Sequence, residues 1–156
     1  MNEAVLQRLE TLEGESQVRR LMARYMDLCD VPRAPTQVRE LAELFSEDAI
    51  WEGIGSQTVQ TFGQHRGRDA VAAFVGSYLP PSEHFALNLH YLTSESIVVD
   101  GSTAQGQWIM QQISTYADGR SELFGTRLNI DFQRVDGVWL IAHFRTQRLF
   151  NTVLGA

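Results

Sequence analysis

Cysteine is nearly missing from this chain: Cys29 is the only one in 156 residues. No intrachain disulfide can form, and no zinc site built on several thiolates is available. Long apolar runs are missing as well. No stretch approaches the roughly 18 uncharged apolar residues that mark a membrane span. Met1 to Arg20 has no apolar core of the kind a signal peptide carries, so the expected address is the cytoplasm. Basic blocks are absent too. Lys and Arg together number 13 against 19 Asp and Glu, for a formal charge of −6. Phosphate recognition needs a clustered positive footprint, so neither nucleic acid nor membrane is expected as a partner. There is no glycine-rich phosphate loop, no nucleophile elbow and no Cys or His cluster at metal-ligand spacing. Gly53, Gly55 and Gly63 fit no dinucleotide fingerprint. No cofactor and no metal are expected.

What is present fits one α+β domain over residues 1–156. A chain of this length can bury about two-thirds of its unfolded surface. Val5, Leu9 and Leu12 suggest a short first helix, which Gly14 interrupts. Ser16 then offers an N-cap for a second segment. There Val18, Leu21, Met22, Tyr25 and Cys29 recur at helical spacing and form one buried stripe. Asp27 points away from the stripe and Asp30 lies on its flank. Pro32 and Pro35 end the helix.

Thr36 can cap the next helix, whose stripe is Val38, Leu41, Ala42 and Phe45. A short strand is expected over Ala49–Glu52. Gly53 to Gly67 is polar and reads as a long loop or a weak hairpin. Ala70, Val71, Phe74, Val75 and Tyr78 predict another helix, stopped by Pro80 and Pro81.

The remainder is strand. Asp100-Gly101, Asp118-Gly119 and Asp136-Gly137 separate four extended runs, a strong hairpin signal. Between Glu122 and Arg134, Phe124, Leu128, Ile130 and Phe132 face one way, and Arg127, Asn129, Asp131 and Gln133 the other. Helices early and an antiparallel meander late predict α+β, with the helices packed on a strongly bent antiparallel or mixed sheet. Such a cone leaves a central pocket at its open end, mostly apolar with a few polar groups.

Several segments resemble the SnoaL-like family of the nuclear-transport-factor-2-like superfamily. They are Leu41 to Trp51, Gly67 to Val71, Val99 to Ala104 and Arg134 to His143. The resemblance covers nearly the whole chain and implies a cone-shaped α+β barrel. One branch of that superfamily is catalytic and includes scytalone dehydratase, bile-acid 7α-dehydratase and hexachlorocyclohexane dehydrochlorinase. In it an Asp at the end of the first long helix pairs with a His on the sheet. Asp30 stands at the Asp position and His90, in His90-Tyr91-Leu92-Thr93, at the His position. Tyr25 resembles the helix Tyr of the bile-acid enzyme. Trp108 stands where scytalone dehydratase has a second His, and Ser94 where a pocket Asn would fall.

The resemblance implies a cofactor-independent lyase or isomerase acting on a small apolar cyclic hydroxy or keto compound. His90 would be the general base, Asp30 its partner and Tyr25 a donor to developing charge. The candidate substrate pocket is Trp51, Trp108, Met110, Leu128 and Phe144. A non-catalytic ligand-binding protein is a second reading; it predicts Asp30 and His90 too far apart to interact. A structural subunit, like the β subunits of ring-hydroxylating dioxygenases, is a third. The superfamily's habits imply a homo-oligomer, a dimer or trimer through the outer sheet face. The residues alone give Asp30 a plainer meaning, a turn residue near Pro32. Cys29 reads as an inert buried thiol. Arg145 and Arg148 could each reach a ligand carboxylate or a subunit interface, and the sequence does not choose.

Overall fold

The first helix, α1 (Glu3–Cys29), is continuous, and Gly14 does not break it. This computed structural model describes residues 2–35 and 37–155. A glycine inside a helix costs roughly 1 kcal/mol against alanine. Here it has a packing reason: a Cβ on Gly14 would stand 3.1 Å from Val99 Cγ1 and 3.5 Å from Trp139 Cζ2. The small residue lets the helix approach the sheet closely. Asn2 caps the N-terminus, its Oδ1 accepting from Ala4 N at 3.0 Å. Val18, Met22, Tyr25 and Cys29 are buried as their spacing predicts, together with Met26 and Leu28.

Asp30 is outside the helix. Its φ and ψ of −73° and 145° are extended, and its N–H closes the last turn onto Met26 O at 2.9 Å. The next residue then pairs with the sheet. Val31 N donates to Asn88 O, and Asn88 N to Val31 O, both at 2.8 Å. This two-bond clamp fixes where the helix end meets the strand that carries His90.

The expected cap Thr36 lies outside the described residues. At α2 (Val38–Ala42), Glu40 Oε2 accepts from Gln37 N at 3.2 Å. Phe45 belongs to no helix; it opens β1 (Phe45–Gly53), which is longer than the predicted strand. The polar stretch after it holds α3 (Ser56–Phe62) and β2 (Gln64–Arg66), and β2 pairs antiparallel with β1. The hairpin expectation is therefore met, with a helix inserted at its tip. Next comes α4 (Arg68–Gly76).

The four later strands are β3 (Phe85–Asp100), β4 (Thr103–Tyr116), β5 (Ser121–Val135) and β6 (Val138–Leu154). All three Asp-Gly pairs mark the turns between them, with Asp100 as the final residue of β3. At the last, Asp136 and Gly137 take φ of 50° and 80°, the positive pair a tight hairpin requires. The sheet order is β2-β1-β6-β5-β4-β3. β1 runs parallel to β6 and the other pairs are antiparallel, so the sheet is mixed. It is an open barrel, with β2 and β3 as unjoined edges. It curls all the same, because β1, β3, β4, β5 and β6 all contribute side chains to one cavity. α1, α3 and α4 complete that cavity. Alternation holds in β5: Phe124, Leu128, Ile130 and Phe132 are buried, whereas Arg127 is exposed. None of the described helices is long and apolar enough to cross a membrane.

Candidate active site

The clamp between Val31 and Asn88 sets Asp30 beside His90, although 60 positions separate them in the chain. Asp30 Oδ1 accepts twice: from His90 N at 3.0 Å and from His90 Nδ1 at 2.8 Å. A carboxylate oxygen only accepts, so Nδ1 carries the hydrogen. The tautomer then leaves the lone pair on Nε2. Nε2 has no hydrogen-bond partner among the described residues. His90 lines the cavity with its side chain 10 % exposed; Asp30, 30 % exposed, stands behind it and not in the lining. A histidine in a cavity wall, with one nitrogen oriented by a carboxylate outside the lining and the other unbonded, is equipped to move protons.

The cavity has a volume of about 140 Å³. Engineered apolar cavities near ~150 Å³ accept one benzene ring, so one small ring is the natural scale of its ligand. The wall is strongly aromatic. Trp51 stacks on Phe144, with centroids 5.4 Å apart and planes at 6°, and meets Phe74 at 5.0 Å. Tyr25 lies edge-on to Phe45 at 5.8 Å. Its hydroxyl accepts from Trp51 Nε1 at 3.1 Å, which leaves its own hydrogen to be shared with the neighbouring Cys29 sulfur. Burial, then the neighbouring Cys29, push the Tyr25 hydroxyl well above its usual range, which keeps it protonated. Burial likewise pushes the Cys29 thiol up to about 12, consistent with an inert thiol.

The structure gathers Tyr25, His90, Trp51, Met110 and Phe144 around the cavity, with Asp30 behind His90. Two candidates do not join them. Trp108 and Leu128 pair across β4 and β5, one layer below the cavity, in solid core. The Trp108 ring covers Gly106, where a Cβ would come within 2.3 Å of it, and Nε1 donates to Glu95 Oε1 at 3.3 Å. Trp108 shares a strand face with Met110, but the strand outlasts the cavity. Ser94 also falls away, exposed in a bulge of β3 with φ of 52°.

Other residues line the cavity that the sequence reading did not single out. Asn88 and Gln112 form a polar floor. Asn88 Oδ1 accepts from Gln112 Nε2 at 2.8 Å and from Ser114 Oγ at 2.7 Å. Two-residue alternation away from His90 and Met110 marks Asn88 and Gln112, because sites i and i+2 of a strand share a face. Arg148 reaches the cavity. Arg145 does not; it bonds Asp131 Oδ2 and His143 Nδ1, each at 2.8 Å, on the opposite sheet face. His65 stacks on Phe74 at 3.7 Å, outside the lining. The sequence holds no lysine, so no side-chain amine is available for a Schiff base. Among the described residues no group of three or more His, Cys, Asp and Glu is placed to hold a metal ion.

A model of the SnoaL-like domain matches residues 10–145. No curated protein matches the chain. Among solved structures, a type 2 hexachlorocyclohexane dehydrochlorinase (LinA) is 19% identical, with a TM-score of 0.76 over 93% of this chain and 91% of that one. A candidate scytalone dehydratase from Novosphingobium aromaticivorans is 20% identical, with a TM-score of 0.76 over 93% and 90% of the two chains. An NTF2-like protein with a cystatin-like fold, from the same organism, is 23% identical, with a TM-score of 0.72 over 93% and 88%. At such identities the likeness is one of fold, which hosts many unrelated activities.

Proposed function

The chain belongs to the SnoaL-like family, and on that premise we propose a cofactor-independent lyase or isomerase that works by proton transfer on a small cyclic hydroxy or keto compound. The observation that carries this reading is the 2.8 Å contact between His90 Nδ1 and Asp30 in the cavity wall. In the elimination, Nε2 of His90 takes the proton α to a carbonyl. The C–H electron pair becomes the new double bond as the β-hydroxyl leaves. The imidazolium returns its proton to that hydroxyl, so water departs and His90 is restored. In the isomerisation, the same proton is returned to a different carbon. Asp30 stabilises the imidazolium between the two transfers. Tyr25 donates to the oxygen on which charge grows, the largest kind of term in such reactions.

A carrier on this fold predicts Asp30 and His90 far apart, and the contact between them favours the enzyme. A dimer or trimer of this chain, joined through the outer sheet face, is part of the same proposal. The test is loss of water from a β-hydroxy cyclohexanone, followed by enone absorbance, together with α-proton exchange of the ketone into heavy water. Wild type should catalyse at least one, and His90→Ala should abolish it. Unchanged rates in His90→Ala would sink the mechanism.

A further inference from the structure

A charged group reaches the cavity from the strand opposite the one that carries His90. Arg148, on β6, lines the same space as His90. Its backbone N–H donates to Thr58 Oγ1 at 2.9 Å, which ties α3 to β6 at this point. Its guanidinium sits 4.8 Å from the centre of the Phe124 ring, itself part of the lining. No side-chain hydrogen bond and no ion pair engages Arg148 among the described residues.

The carboxylates that could balance it are committed elsewhere. No Asp or Glu belongs to the cavity lining. Asp30 is behind His90 and bonded to it. Glu122, 7 % exposed, is paired with Arg120. Arg120, Glu122 and Arg148 all act on the Tyr116 hydroxyl, so they form one neighbourhood. Their charges sum to one positive, carried by the partner-free Arg148. Asn88, Gln112 and the hydroxyls of the lining are neutral. They can solvate a cation and cannot neutralise it. A half-buried guanidinium over an aromatic face, without a carboxylate, is built to meet an anion from outside.

We propose that Arg148 is a carboxylate-binding subsite, and that the ligand is a cyclic acid: one small ring bearing a carboxylate opposite the carbon that His90 addresses. That this ligand is also turned over rests on the proton-transfer reading above; the anion subsite does not. The geometry suits a single ring. β3 and β6 are three strands apart, about 14 Å on a flat sheet. Both side chains reach inward from there, and the curl shortens the gap. Register places them in adjacent rows, His90 opposite Gln112 and Arg148 opposite Thr126, which pairs with Met110.

The test uses benzoate and benzamide, equal in shape and different in charge, titrated calorimetrically into wild type, Arg148→Gln, Arg148→Lys and His90→Gln. His90→Gln removes the other lining side chain that could attract the acid. Wild type should bind benzoate roughly tenfold or more tightly than benzamide, the usual scale of a charge-assisted pair. Arg148→Gln should lose that preference while still binding benzamide, which also shows that it folds. Arg148→Lys should recover part of it, and His90→Gln should leave it intact. Equal affinities in wild type, no benzoate binding in wild type, or a preference that survives Arg148→Gln each overturn the proposal. Should the preference depend on Arg148 while His90→Ala keeps full activity, the mechanism falls and the subsite stands.

Discussion

Two histidine–carboxylate pairs sit on opposite faces of this sheet, and their bond lengths do not tell them apart. His90 meets Asp30 at 2.8 Å and His143 meets Glu52 at 2.7 Å. What separates them is the second nitrogen. His143 Nε2 faces Glu52, while its Nδ1 faces Arg145 Nη2 at 2.8 Å. Arginine only donates, so Nδ1 must accept, and Nε2–H donates to Glu52. Both ring positions are consumed and the imidazole is a spacer in a chain from Gln64 through Glu52 to Arg145 and Asp131. His90 spends one nitrogen on Asp30 and keeps the other for the cavity. A histidine–carboxylate contact therefore marks a base only where the remaining lone pair has somewhere to work.

The largest expected effect breaks the comparison at its centre. His90→Ala should lower turnover about 10²–10⁴-fold, the range for a positioned general base. His143→Gln should leave turnover within about threefold and lower stability by about 1–2 kcal/mol, because Glu52 and Arg145 lose partners. Turnover and thermal melts on both variants decide it. Equal losses of activity would mean that the free lone pair is not the distinguishing feature.

The next effect isolates the charge behind His90, the proposed base. Asn at position 30 can still accept from His90 N and Nδ1 but cannot stabilise an imidazolium. Asp30→Asn should cost about 10²–10³ in turnover. A melt within about 1–2 kcal/mol of wild type would show that the loss lies in the chemistry, since only the charge of the acceptor is changed.

Much of this arrangement could be read from the chain, and the remainder could not, for a consistent reason. The meander of β3 to β6 was legible because Asp-Gly turns and two-residue alternation are local signals. Gly14 was misread as a break because its purpose is contact with Val99 and Trp139, which no helical pattern contains. The helix within residues 53–67 was missed because its core contribution is slight; Thr58 is its buried residue. Trp108 and Leu128 were placed on the right face and in the wrong layer, since alternation gives a face and not a depth. Asp30 and His90 were linked by resemblance; the Val31–Asn88 clamp that brings them together has no signature in the residues. Alternation already sets Arg145 and Arg148, three apart, on opposite faces; which of them met the cavity had to wait for the structure, which puts Arg148 in the lining with Phe144 and Thr146.

The two faces also differ in how they treat an acid, and pH sharpens that contrast. On the cavity side burial dominates: the Cys29 thiol is pushed up to about 12, with Tyr25 raised beside it. A folded value above the unfolded one, about 8.5 for a thiol, gives stability that is fully present at lower pH and lost as pH rises past the unfolded value. At about pH 10 the loss from Cys29 should be on the order of 1–2 kcal/mol. Cys29→Ala should be less stable than wild type near neutrality and show a shallower alkaline decline. Denaturation curves across that range check it; parallel declines would mean that Cys29 ionises as easily folded as unfolded.

On the outer face the balance reverses. Burial pushes Glu52 up, yet hydrogen bonds from His143 and Gln64, with the charge of Arg145, together hold it below the ordinary glutamate value. A lowered folded value gives stability that is present above the unfolded value and lost as pH falls through the folded one. Glu52→Gln should therefore cost about 1 kcal/mol near neutrality. The deficit should shrink on acidification below the ordinary glutamate range, where wild type loses the same charge. Turnover should not change, because no cavity contact is altered. Wild type and variant melts converging at acid pH would confirm a charge that stabilises the sheet and does no chemistry. A pH-independent gap would mean that Glu52 matters through packing, and an accompanying fall in turnover would tie the outer pair to the cavity after all.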